Sequence, residues 1–406
     1  MPKLRAYRFT KKSPYKLLML AAFPRGFWLM AQIGVIQILR AVAALMIVFS
    51  HAQNDCLNEA IKAHGTFARS DILPWDAGVD LFFVISGFIM VHASRRWFAT
   101  PRAGSLFICR RLIRIVPLYW LITAIMLAIL GYAAWTGKRP FPSFAEISAS
   151  LGFVPFARPE DGQPRPIVAL GWTLNYEMFF YVVFALFIRF QRFVAVAAIT
   201  LTLALAVAAG SILHPSATIL AYWSDPIVLE FGFGMLTALV WQSGVRCKGR
   251  LIFLLVMLGA AMLALDLDGM RSVGPLDVDA NGFTRVLGAG IPMALIFAAI
   301  VLADPAFSTG SRLASFFTLL GDASYALYLF HPLAVIFARK AYLALGWEKT
   351  VGYWPLIAAD LALAAGLALV IHICIEKPIS TTLHNWFFDK RPQPDPKTHV
   401  VEVRQG

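Results

Sequence analysis

The chain has 406 residues, 59% of them hydrophobic and 15% charged, with a mean hydropathy of +0.68. Soluble domains carry about a quarter charged residues, and apolar runs recur here from end to end, so composition predicts an all-α polytopic membrane protein in a lipid bilayer. The net charge of +13 sits mostly in short loops between those runs, which points to membrane topology and away from nucleic acid, and the four cysteines (Cys56, Cys109, Cys247, Cys374) have no metal-ligand spacing, so neither a metal nor a disulfide framework is expected.

Residues 1–30 form a basic arm, with Lys3, Arg5, Arg8, Lys11, Lys12, Lys16 and Arg25 and no acid. The apolar piece Leu17–Phe23 is too short to span and no cleavage site follows it, so the arm is expected in the cytoplasm. A start at Met30 is the alternative. Ten candidate spans follow in the body 31–376: 34–52, 77–94, 114–135, 169–189, 193–213, 224–241, 251–267, 285–303, 321–340 and 354–374. The loop 94–114 holds six arginines and no acid, and the turns between the fourth and fifth spans and between the sixth and seventh are basic too. The first loop carries Asp55, Glu59, Asp71 and Asp76, and the seventh carries Asp266, Asp268, Asp277 and Asp279. This alternation predicts about ten transmembrane helices with both termini cytoplasmic. Arg339 and Lys340 break it, falling near the outer end of a span. The loop 136–168 has turn chemistry and is expected to hold a small surface or re-entrant element. The polar tail 377–406 is expected in the cytoplasm, with a short interfacial helix near Leu383–Phe388.

Ionisable residues inside spans are costly and mark pairs or sites. Arg40 and His51 lie eleven residues apart in the first span, about three helical turns, so they share a face. His51 at a span end can be a plain interfacial residue. Asp80, at matching depth in the second span, favours a base whose tautomer the carboxylate fixes, although Asp80 can also be a helix N-terminal charge. Ser86-Gly87 reads as a packing position rather than a nucleophile. Arg110, Arg111 and Arg114 open the third span. Topology explains them if taken alone, and a phosphate clamp is the functional alternative. Glu177 lies deep in the fourth span, as a functional group or as the counter-ion of Arg40, with Glu230 a second candidate partner. Trp172 can stack on a sugar or serve in the aromatic belt. Tyr325, Tyr328 and His331 form a polar stripe in the ninth span, where Pro332 frees local carbonyls, and His331 reads mainly as a satisfied core histidine.

In this order QILRAVAALMIVFSHA, GVDLFFVISGFIMV, RRLIRIVPLYW, GWTLNYEMFFY, DPIVLEFGFGM, GDASYALYLFHPL and the closing IEKP resemble the acyltransferase family 3 membrane proteins, in particular bacterial exopolysaccharide O-acetyltransferases. The resemblance implies a multi-pass enzyme of the bacterial inner membrane that moves an acyl group, usually acetyl, from cytoplasmic acetyl-CoA to a hydroxyl of a glycan or lipid-linked saccharide, with other polysaccharide-biosynthesis proteins as partners. It implies that His51 is the essential histidine at the end of the first span and Arg40 the arginine of that span, that Arg111 and Arg114 are the RxxR pair, and that Glu177 is the fourth-span glutamate. Some relatives carry a fused extracytoplasmic domain. This chain ends about thirty residues after its last span, which favours direct transfer within the membrane domain, or transfer to a separate partner.

The mechanism expected on that basis has Arg111 and Arg114, helped by Arg110, holding the CoA phosphates. His51, oriented by Asp80, takes the proton of the attacking hydroxyl, with an acyl-histidine as the alternative. Arg40 stabilises charge or pairs with Glu177, and Trp172, Tyr328 and His331 contact substrate. A polysaccharide transporter needs the same intramembrane charges but no CoA clamp, and no inverted repeat supports it. A haem protein would need two histidines at matched depth, and no spacing provides them.

Overall fold

In a bilayer core every backbone N–H and C=O must be paired within the chain, and helices do this locally. The computed structural model describes residues 24–266, 282–303 and 311–388, and among these it is helical with no strand. The helices are α1 (Pro24–Lys62), α2 (Gly78–Ala93), α3 (Ala103–Trp135), α4 (Phe144–Leu151), α5 (Trp172–Phe187), α6 (Arg192–Leu213), α7 (Thr218–Trp223), α8 (Leu229–Gln242), α9 (Gly249–Leu265), α10 (Phe283–Val301), α11 (Arg312–Asp322), α12 (Ser324–Ala344), α13 (Trp354–Ile371) and α14 (Lys377–Phe388). Seven helical segments are long and apolar enough to cross a membrane, or eight if α11 and α12, bent by 79°, form one span. The expected sixth and seventh spans appear as the shorter apolar helices Pro226–Gln242 and Gly249–Leu265. Most of the basic arm, Asp268, Asp277 and Asp279, and the tail beyond Phe388 lie outside the described residues. The helix expected near Leu383–Phe388 is α14, which follows α13 through a π-turn at His372–Glu376.

Two helices outrun their expected edges. α1 continues from 52 to Lys62, and α3 starts at Ala103 rather than 114. Hydropathy finds where apolar residues stop, but Asn, Asp, Glu and Arg side chains do not stop a helix. The extension moves His51 from the end of its helix to a place within it. It also puts Arg110, Arg111 and Arg114 on one continuous helix.

Backbone contact sets the packing of α2 on α8. A Cβ on Gly87 would lie 2.0 Å from the Phe231 carbonyl oxygen, and one on Gly234 would lie 1.9 Å from that of Val84. Small residues permit such an approach, so Gly87 in the Ser86-Gly87 pair is a packing position, as expected. Gly234→Ala should force the two helices apart and sharply reduce the monodisperse protein recovered in detergent. Undiminished recovery would show that the pair can separate without cost.

One of the two charges that break the topology pattern is neutralised locally. Arg339 on α12 pairs with Asp55, and its Nη1 lies 3.5 Å from Glu59 Oε1, both on the extended end of α1. In the loop 136–168 the expected small element is α4, opened by a capping box in which Glu146 N–H donates to Ser143 Oγ at 3.2 Å and Ser143 N–H to Glu146 Oε2 at 2.8 Å.

Candidate active site

Pro332 has no N–H, so the Tyr328 carbonyl four residues earlier lacks its helical donor. That carbonyl instead lies 2.9 Å from His331 Nδ1, with the Leu327 carbonyl at 3.2 Å. Carbonyls only accept, so His331 Nδ1 carries the proton. The neutral ring then leaves His331 Nε2 as an acceptor. Nε2 lies 3.0 Å from His51 Nδ1, which must therefore be the donor. This chain of assignments follows from the hydrogen-bond network. It leaves His51 Nε2 as the nitrogen with a free lone pair, the form a general base requires.

His51 lines a cavity of about 300 Å³ at the expected outer side. Its walls are Ile122, Met126 and Leu130 of α3, Leu329, Leu333 and Ile336 of α12, and the 136–168 loop, which contributes Arg139, Glu146, Arg158 and Glu160.

A second cavity, of about 100 Å³, holds Arg40, Arg111 and Arg114 together with Ser86, Glu177, Tyr181, Ser324, Tyr325 and Tyr328. The i, i+3 spacing of Arg111 and Arg114 turns both toward it. Arg111 Nε is buried without a hydrogen-bond partner among the described residues, as is Ser324 Oγ. Glu177 accepts from Ser86 Oγ at 2.9 Å and from the Tyr181 hydroxyl. Arg40 donates to Gln37 Oε1 at 2.9 Å and forms no ion pair with Glu177 among the described residues. Three guanidinium groups beside a mainly apolar cavity suit a polyanion attached to an apolar arm.

Several expectations need correction. Asp80 does not orient His51. It is fully buried and accepts from Arg285 through Nε at 3.0 Å and Nη2 at 2.8 Å. A guanidinium fork takes both carboxylate oxygens and outcompetes a single imidazole contact. His331 is the partner of His51, and as direct hydrogen-bonding neighbours the two rings leave no room for an iron between them. Arg110 does not join the clamp. Its guanidinium lies 4.1 Å over the Trp97 ring and 4.9 Å from Phe388 of α14. Trp172 is 4% exposed, lines neither cavity, and packs edge-on to Tyr176 with Arg285 above it, so its ring meets protein rather than a sugar. Glu230 is no partner of Arg40, since it sits beside Asp80 and Arg285 against Gly290. Arg285 and Tyr181 escaped the sequence reading. Arg285 sits at the edge of its span, where an arginine looks like topology.

Among the described residues no three or more His, Cys, Asp or Glu side chains converge as a metal site. A family model described as an acyltransferase domain matches residues 33–373. The chain is 37% identical over 306 residues to the exopolysaccharide production protein ExoZ of Rhizobium meliloti (strain 1021), covering 75% of this chain and 89% of the relative. It is 27% identical over 354 residues to the acyltransferase MdmB of Streptomyces mycarofaciens, covering 79% and 84%. No solved structure matches.

Proposed function

The chain belongs to the acyltransferase family, and we propose that it transfers an acyl group, acetyl first among them, from acyl-CoA to a saccharide hydroxyl of a cell-surface glycan in the bacterial inner membrane. The observation that carries the reading is the pair of cavities, one lined by Arg40, Arg111 and Arg114 and the other by His51. The arginine cavity receives the donor. The phosphates meet Arg111 and Arg114, and the pantetheine arm runs along Phe82, Phe83 and Ile89 toward Tyr328. The His51 cavity receives the acceptor, with the 136–168 loop shaping its rim.

The step is one displacement. The acceptor O–H proton passes to His51 Nε2 as the oxygen bonds to the thioester carbon. The carbon–sulfur bond breaks, and the sulfur takes the proton from the imidazolium. His331 accepts from His51 Nδ1–H throughout, and so holds the ring while its charge changes.

The test of this reading is incorporation of label from radiolabelled acetyl-CoA into glycan by membranes carrying this chain, which should exceed that of membranes without it. No incorporation above that background would sink it and would favour a transporter. Arg111→Ala with Arg114→Ala should weaken acetyl-CoA binding roughly tenfold or more, given about 1.5–3 kcal/mol for each hydrogen bond to a charged group. Unchanged binding would return both arginines to topology.

A further inference from the structure

The two cavities share no lining residue. Their boundary passes between residues close in the chain. Thr173 lines the arginine cavity and Leu170 the His51 cavity, while Tyr328 lines the first and its neighbour Leu329 the second. Three oxygens close the boundary. The Tyr328 hydroxyl donates to the Leu170 carbonyl at 2.8 Å, Thr173 Oγ1 lies 2.9 Å from that hydroxyl, and Thr173 Oγ1 lies 3.2 Å from the same carbonyl. All three residues are buried. Tyr328 also supplies the carbonyl that holds His331, so the latch and the base are fixed by one turn of α12.

A thioester is easily lost to water once a base is at hand. Here the base faces the cavity that opens toward the 136–168 loop, and Tyr328 stands between it and the cavity assigned to the donor. Resting on the transfer reading above, we propose that Tyr328 determines whether the acyl group goes to a saccharide hydroxyl or to water. Latched to Leu170 and Thr173, the ring keeps the thioester away from solvent beside His51. A saccharide seated against Leu170 and Leu329 presses on the latch from the acceptor side, and the barrier opens when a hydroxyl rather than bulk water occupies the site. Without the ring, a water oxygen bonds to the acyl carbon and the carbon–sulfur bond breaks. The water's proton reaches the sulfur through His51, giving a carboxylic acid and free CoA.

The test measures free CoA released from acetyl-CoA by purified full-length protein in detergent with no glycan present, alongside label transfer into glycan by membranes. Tyr328→Ala should raise acceptor-free CoA release about tenfold over wild type, the scale of one lost hydrogen-bonded barrier. Adding His51→Ala should remove the gain. Tyr328→Phe, which keeps the ring but loses the latch, and Thr173→Val should shift release in the same direction by less. These two decide the matter if Tyr328→Ala fails to accumulate. Release at the wild-type level in all accumulating variants, with wild-type transfer intact, overturns the proposal and leaves the transfer reading standing. A wild type that transfers no label overturns both. A merely structural role for Tyr328 would lower activity and would not create a His51-dependent leak.

Discussion

His51→Ala is expected to abolish label transfer from acetyl-CoA to glycan while the protein still accumulates in the membrane. General-base catalysis contributes on the order of 10²–10⁴ in rate, which would put the residue below detection in most membrane assays. The side chain lines a cavity and, among the described residues, its one hydrogen bond is to His331, so its loss removes little packing. His331 separates two accounts of that result. If His331 only positions the base, His331→Phe should lower kcat by roughly ten- to a hundredfold, the scale of about 1–3 kcal/mol for an unpaired buried donor, and leave the KM for acetyl-CoA unchanged. His331→Gln, whose amide oxygen can accept from His51 Nδ1–H, should recover part of the loss. Equal and total loss in His51→Ala and His331→Phe, with no recovery in His331→Gln, would mean that the two rings act as one proton-transfer unit. Normal transfer by a well-expressed His51→Ala would remove the base from this site.

The helices were legible in the sequence because a bilayer permits little else, and hydropathy reads that constraint directly. Their ends were not, because polar residues continue a helix as readily as apolar ones, and this hid where His51 sits along α1. The ordered segments pointed to the acyltransferase family, and the site residues split according to how their partners are encoded. Arg111 and Arg114 meet through local helical spacing, which sequence shows. The freed carbonyl at Tyr328 was also readable, since a proline four residues on removes its donor. What no spacing reveals is a partner on another helix. For His51 the sequence offers Asp80 on the second span, whereas the structure pairs it with His331 on α12, and rotation about the helix axes decides between such partners. For Asp80 the choice went to Arg285, 205 residues away in the chain.

Arg285→Met should therefore cost the fold rather than the chemistry. Asp80 is fully buried, and each of its carboxylate oxygens accepts from that guanidinium. Breaking a buried ion pair from one side costs about 3–5 kcal/mol, a large part of a total stability of roughly 5–15 kcal/mol. Glu230 beside the pair makes the two single variants unequal. Arg285→Met leaves two buried carboxylates facing each other, whereas Asp80→Ala leaves Arg285 with Glu230 still near. Arg285→Met should then accumulate less than Asp80→Ala, and both less than wild type, by fluorescence-detected gel filtration of detergent extracts. The protein that does fold in Asp80→Ala should transfer label at close to the wild-type rate per molecule, because the carboxylate touches neither His51 nor His331. Asp80→Leu combined with Arg285→Met and Glu230→Gln removes the charges together, and accumulation should recover relative to Arg285→Met, since apolar replacement of a whole buried pair is often neutral. An Asp80→Ala protein that accumulates fully and transfers nothing would reverse the assignment. It would place the carboxylate in the proton path of His51, with the Arg285 contact a resting state that the bound acceptor breaks.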